Sequence, residues 1–115
     1  MLQRFQHNQS TIFLALDDHG SCVGFTQLFL SFSSLACAAI LILNDLFVTP
    51  EARRSGVASS LLRAAKEFAR AVGAVRLSLS TEVTNRTAQA LYEAEGWSRP
   101  SEFYVYNLIL QNEPG

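Results

Sequence analysis

The stretch Asn44-Asp45-Leu46-Phe47-Val48-Thr49-Pro50-Glu51-Ala52-Arg53-Arg54-Ser55-Gly56-Val57-Ala58 joins two segments of different periodicity. Upstream, the apolar run from Leu35 to Val48 reads as a long central strand buried on both faces, which Pro50 closes. Downstream, Val57, Ala58, Leu61, Leu62, Ala65, Phe68, Ala69 and Val72 recur with the helical period, while Arg63, Lys66, Glu67 and Arg70 take the other face. Gly73 is a helix stop. A strand that passes through a short loop into a helix start makes an anion site. The first helical amides have no partner within the helix, the helix dipole favours negative charge, and Gly56 presents no side chain to block close approach. A Walker loop requires GxxxxGK[ST] and a dinucleotide fold requires GxGxxG after its strand, and this loop contains neither. What it holds is Arg-x-x-Gly-x-Ala, from Arg53 to Ala58, whose chemistry suits two linked phosphates.

Working outward, Thr11 to Leu16 is β-prone, Asp17-Asp18-His19-Gly20 supplies turn residues, and Cys22 to Phe32 reads as the returning strand of a hairpin. Ser31-Phe32-Ser33-Ser34 interrupts the pattern before the central strand. Beyond the helix, Val75, Leu77 and Leu79 alternate with Arg76, Ser78 and Ser80 as a strand with one apolar face. Asn85 caps a short second helix over Ala88 to Glu95, which ends at Gly96. Glu102 to Leu110, rich in aromatic and branched residues, reads as a final strand. The strand-helix-strand unit from about Leu41 to Leu79 is expected to be a right-handed crossover with parallel strands. Met1 to Ser10 reads as a tail without an element of its own.

Length and composition agree with one globular domain over residues 1–115. Apolar residues make up 49% of the chain and charged residues 17%, which is enough to enclose a core and far from a disordered composition. The formal net charge is −1, with acids scattered among the basic residues, so no broad field for nucleic acid is expected. The longest apolar run, Leu35 to Leu43, is less than half of the ~20 residues that a membrane-spanning helix needs, and the N-terminal residues carry no signal-peptide core. No membrane partner and a cytosolic location are expected. Cys22 and Cys37 form neither a CxxC pair nor a metal-ligand spacing, and read as reduced, packed thiols.

A second motif lies in Thr84-Asn85-Arg86-Thr87-Ala88-Gln89-Ala90-Leu91-Tyr92-Glu93-Ala94-Glu95-Gly96-Trp97. Asn85, Ala88 or Gln89, and Tyr92 lie three to four residues apart and share one helix face over two turns, ~10 Å, along which a thin substrate could lie. Trp97 reads as a packing residue between helix and sheet.

The two motifs together resemble the GNAT family of N-acetyltransferases. Arg53, Gly56 and Ala58 fill that family's coenzyme A signature, and Asn85 with Leu91-Tyr92-Glu93 fills its second. The resemblance covers roughly Thr11 to Leu110. It implies an α/β fold with a mixed, mostly antiparallel sheet and a central parallel strand-helix-strand crossover, lacking the family's usual N-terminal strand and helices, which wall the acceptor pocket. It implies that backbone groups of Leu46, Phe47 and Val48 pair with the pantetheine arm of acetyl-coenzyme A as an added strand, and that amides from Arg54 through Ser55, Gly56, Val57 and Ala58 to Ser59 take the pyrophosphate. Ala88 would leave room for the arm and Asn85 would hydrogen-bond one of its amides. Tyr92 would donate to the departing thiolate, which leaves more easily when a hydroxyl assists it.

The expected reaction is transfer of the acetyl group to a primary amine, with no metal. The alternative is a coenzyme-binding or assembly module that has lost efficient transfer. Asp45 is the first candidate for the base and Glu82 a second, while His7 and His19 read as surface residues. No GxSxG turn is present to favour a hydrolase. Phe103, Tyr104 and Tyr106 on the final strand, with the short N-terminus, point to a homodimer.

Overall fold

The computed structural model describes residues 1–7, 10–33, 38–99 and 106–110. Five strands, β1 (Leu2–His7), β2 (Ser10–Leu16), β3 (Cys22–Ser33), β4 (Ala38–Val48) and β5 (Arg76–Leu79), form one sheet in sequence order. β1 to β4 pair antiparallel and β5 joins β4 in parallel. Helix α1 (Val57–Ala71) makes the crossover from β4 to β5, and α2 (Arg86–Ala94) follows. This is the mixed, mostly antiparallel arrangement expected from the sequence.

The β2–β3 hairpin turns where the Asp17 carboxylate accepts from the His19 amide at 2.8 Å and the Ser21 amide at 2.9 Å. The core lies on one side of the sheet. Phe13 and Ala15 of β2, Leu28 of β3, and Leu41 and Leu43 of β4 meet Leu61, Leu62, Ala65, Phe68 and Ala69 of α1. The Phe13 and Phe68 rings meet nearly edge-on, 5.8 Å apart at 74°.

A bulge in β4 orders the rest. Gln27 pairs with Asp45, but Leu28 pairs with Leu43, so Asn44 has no opposite number. The extra residue reverses the alternation. Before it, Leu41 and Leu43 face α1; after it, Leu46 and Val48 do. The buried Thr26 hydroxyl donates to the Asp45 carbonyl at 2.7 Å and holds this kinked segment to β3.

Several expectations are corrected. Residues 2–7 are an edge strand rather than a tail, because their backbone completes the ladder with β2 although their polar side chains show no strand pattern. Arg4 lies over the Phe68 ring, 5.5 Å from its centroid. The central strand is covered on one face only. Ile42 and Phe47 are exposed on the face that carries no described helix. Cys22 is an exposed thiol, not a packed one, and Cys37 lies outside the described residues. Val75 precedes β5 and is exposed, leaving Leu77 and Leu79 as the inward pair. Of the expected final strand, residues 106–110 form no strand and are exposed; Glu102, Phe103 and Tyr104 lie outside the described residues.

Thr26→Val removes the donor and leaves the Asp45 carbonyl short of a partner. It should lower stability by about 1–3 kcal/mol, read as a lower urea midpoint at unchanged slope. An unchanged midpoint would show that the bulge holds itself.

Candidate active site

β5 accompanies β4 only from Ile40 to Leu43, whereas β4 runs on to Val48. From Asn44 onward β4 is therefore paired on the β3 side alone. Along an antiparallel ladder the backbone groups of successive residues turn alternately to one neighbour and to the other. The Thr49 amide donates to the Val23 carbonyl at 2.9 Å, and the Phe47 carbonyl also points toward β3, where it would lie 2.9 Å from a Cβ placed on Gly24. Leu46 and Val48 thus turn their backbone groups to the open side. The Val48 carbonyl there accepts from Arg53 Nε at 3.2 Å.

Beyond Thr49, a single 3₁₀ turn over Pro50–Ala52 reverses the chain. Arg54 (φ 66°) and Gly56 (φ 84°) both adopt left-handed backbone, and the Ser55 hydroxyl donates to the Ala52 carbonyl. Gly56 is the N-cap of α1, no side chain caps the helix, and its first turn holds no acid. The first intrahelical bond is Ser60 N to Gly56 O at 3.0 Å, so the amides of Val57, Ala58 and Ser59 come before it. A Cβ on Gly56 would meet no atom within 4 Å; the glycine serves a positive φ beside open space. The Thr49 hydroxyl at the end of β4 is buried with no partner among the described residues.

In α2, Asn85 Oδ1 accepts from the Ala88 amide at 3.2 Å, the N-cap bond expected of it. Gln89 Nε2 donates to the carbonyls of Glu82 and Val83 at 3.1 and 3.0 Å, fastening the preceding loop. Ala88 and Tyr92 are half-buried. Tyr92 packs against the core beside Leu91 and Trp97, its ring 6.0 Å from the indole. Burial pushes its phenol above the ordinary tyrosine range, so it holds its proton further into alkaline pH than a free tyrosine does. Arg63 Nε, 3.1 Å from Glu95 Oε1, ties α1 to the end of α2.

The structure gathers Leu46, Val48, Val57 and Tyr92 around one core cluster. It does not bring Asp45 to that side. Asp45 is exposed, accepts from Asn44 Nδ2 at 3.2 Å, and by strand alternation shares the outer face with Phe47. Glu82 is exposed in the loop before α2, and His19 is exposed in its turn. A shallow cavity of about 350 Å³, lined by Leu62, Arg63, Lys66, Glu67, Glu95 and Trp97, contains none of these candidates. Among the described residues no group of three or more His, Cys, Asp or Glu could hold a metal ion. Three contacts were not foreseen: Thr26 to Asp45, Arg53 to Val48, and the close packing at Gly24. Only the last had a signal in the sequence, a glycine inside a strand, which often marks a close backbone approach.

A mixed sheet whose β4 outruns its parallel neighbour thus lies beside a helix that starts at a glycine. The family model for the "Acetyltransferase (GNAT) family" matches residues 1–97. The Bacillus subtilis protein "Uncharacterized N-acetyltransferase YhfO" is 45% identical over 105 residues, covering 91% of this chain and 70% of its own. A crystal structure of "a probable acetyltransferase" superposes with a TM-score of 0.83 at 46% identity, over 91% of this chain and 70% of that one. The aminoglycoside N-acetyltransferase AAC(6')-Iy in complex with CoA shares the fold at 22% identity, with a TM-score of 0.75 over 90% of this chain and 78% of its own. The chain belongs to the GNAT acetyltransferase family and is a transferase enzyme.

Because the folded state holds the Tyr92 proton more tightly than the unfolded chain, that contribution is complete below the ordinary tyrosine pKa and is lost as pH rises through the folded value. Stability should therefore fall above about pH 10, and fall less in Tyr92→Phe. Urea midpoints taken from neutral to alkaline pH check this; equal alkaline losses in both proteins would contradict it.

Proposed function

We propose that residues 1–115 act as one acetyl-coenzyme A-binding domain that moves the acetyl group to a primary amine by direct attack on the thioester. The observation that carries this reading is the open edge of β4, which leads through the turn at Pro50–Ala52 to the uncapped start of α1. An extended arm needs an unpaired strand edge, and Leu46 and Val48 offer one on the side away from β3. A pyrophosphate needs converging amides without a competing acid. The turn from Arg53 through Arg54, Ser55 and Gly56 to Val57, Ala58 and Ser59 supplies these, with two arginines nearby. Phe47, paired to β3, serves this edge by fixing its neighbours.

Acetyl-coenzyme A supplies an activated acyl carbon and a thiolate leaving group. The amine nitrogen forms a bond to that carbon as the carbon–sulfur bond breaks, and the sulfur leaves with the electron pair. Tyr92, protonated at neutral pH like any phenol, gives its hydroxyl proton or a hydrogen bond to the sulfur. The proton lost by the amine passes to water, through which Asp45 on the other face of β4 is the candidate final acceptor, and the phenol recovers its own from solvent. Asn85, whose Oδ1 is engaged in the cap, has its Nδ2 left for the arm, and Ala88 on the same face gives it room. Acceptance of small amines by this fold is supported by the aminoglycoside acetyltransferase that shares it.

Phe29, Ile42 and Phe47 are exposed, and strand alternation puts them on the face opposite α1, which supports a homodimer in which a second copy covers that surface. No helix among the described residues is long and apolar enough to cross a membrane, and the domain is proposed to work in the cytosol.

Acetyl-coenzyme A at millimolar concentration should raise Tm, because a ligand that binds only the folded state stabilises it by mass action. Gly56→Val should abolish the shift, through strain at positive φ and a side chain in the space meant for the pyrophosphate. An undiminished shift in the variant would remove the loop from the site.

Tyr92→Phe should lower turnover with an amine acceptor by ~10²-fold while coenzyme affinity barely changes, as for a contact made mainly in the transition state. Equal rates of coenzyme A release would return Tyr92 to a packing role. Binding without turnover across a broad amine panel in the unmutated chain would favour the assembly-module reading.

A further inference from the structure

Gly24 sits in β3 between Ala15 of β2 and Val48 of β4, and it is buried. Its backbone is not among those with positive φ, so conformation does not explain a glycine in the middle of a sheet, where it weakens the strand. Space does. A Cβ at this position would lie 2.9 Å from the Phe47 carbonyl oxygen, 3.0 Å from Val57 Cγ1 and 3.2 Å from Leu61 Cδ1. The next inward positions of β3, Thr26 and Leu28, carry side chains and are fully buried. Only at Gly24 does the row of inward side chains stop, and what fills the gap is the first turn of α1.

We infer that Gly24 is a positioning residue for the coenzyme, because it seats the first turn of α1 against the sheet and so sets the distance between that turn and the open edge of β4. The three atoms it admits belong to the two halves of the proposed site. Val57 and Leu61 stand on the helix whose start faces the pyrophosphate. Phe47 lies between Leu46 and Val48, whose backbone groups face the arm. A single added methyl group pushes on both halves together. The Phe47 carbonyl is backbone held in the ladder with β3, so the added methyl group is pressed toward α1 and the helix start lifts away from the β4 edge. A coenzyme that spans both then loses register with one of them. None of the three nearest atoms belongs to Tyr92 on α2, so the chemical step is expected to be spared.

This inference rests on the coenzyme reading above, and the test separates the two. Acetyl-coenzyme A affinity is measured by calorimetry on the folded full chain, with initial rates on a good amine, for the unmutated protein, Gly24→Ala and Gly24→Ala/Val57→Ala. Absence of binding by the unmutated protein would refute the coenzyme reading itself. If that protein binds, Gly24→Ala should raise the Kd and KM for acetyl-coenzyme A by about tenfold or more with kcat at saturation within about twofold, a split that mere loss of stability does not produce. The double variant, which removes the nearest side-chain obstacle, should recover most of the affinity. Unchanged affinity in a folded Gly24→Ala protein overturns the inference. If Gly24→Ala does not fold, recovery of both folding and binding in the double variant supports it. A double variant no better folded or no tighter than the single one overturns it, because the methyl group would then act elsewhere than on the first turn of α1.

Discussion

The constraint on which the structure depends is the single extra residue at Asn44. A strand alternates its side chains with a period of two, so one unpaired residue exchanges the faces of everything that follows. Without the bulge, Asp45 and Phe47 would point at α1, and Leu46 and Val48 would point away. With it, the apolar pair continues the inward row begun by Leu41 and Leu43, and the carboxylate stays in solvent. The bulge interrupts the regular register of the β3–β4 ladder, and the Thr26 hydroxyl donates to the Asp45 carbonyl beside it. β5 ends opposite Leu43, immediately before the bulge, so the strand changes phase and loses its parallel neighbour at nearly the same place.

The site follows from this in mechanical order. An unpaired strand edge inside a sheet is a surface on which another extended chain can pair, and burying it without a partner is unfavourable. It lies beside a helix start whose first amides precede the first intrahelical bond, and Arg53 Nε reaches the Val48 carbonyl on this edge. The two unsatisfied regions are held at fixed distance by the packing of α1 on the sheet, not by contacts with each other. The one ion pair between α1 and the α2 region, Arg63 with Glu95, involves a largely exposed arginine and adds little stability beside Leu61, Leu62 and Ala65, which are fully buried. Placement of Tyr92 depends on the same packing. Its partial burial between the core and Trp97 disfavours the phenolate and leaves a neutral hydroxyl.

The sheet is strongly one-sided among the described residues. α1 and the residues flanking α2 pack on one face, while the other carries Phe25 and Phe47, whose rings lie 5.9 Å apart, with Phe29 and Ile42. An apolar sheet face of this kind calls for a cover. The chain spans about 70% of the length of its Bacillus subtilis relative and of the probable acetyltransferase whose crystal structure it resembles. The exposed face and the exposed Asp45 belong to the same side of β4, so whatever covers the apolar surface also borders the candidate base.

The sequence by itself determined the elements whose signals are local. The period of α1 follows from residues 57–71, the hairpin turn from Asp17 to Gly20, and the start of α2 from Asn85, because each depends on neighbours a few positions apart. The two motifs were legible for the same reason: a glycine before a helix and a tyrosine two turns after a cap carry their geometry with them. The tertiary structure decided what depends on partners distant in the chain. Residues 2–7 became a strand through the backbone of β2 despite polar side chains, and residues 106–110, with strong β propensity, pair with no strand among the described residues. The phase of β4 was fixed across the ladder with β3, which turned Leu46 and Val48 inward and Asp45 outward. Propensity records what a residue prefers alone, whereas pairing, phase and close approach are properties of two segments at once, and no single stretch of sequence contains them.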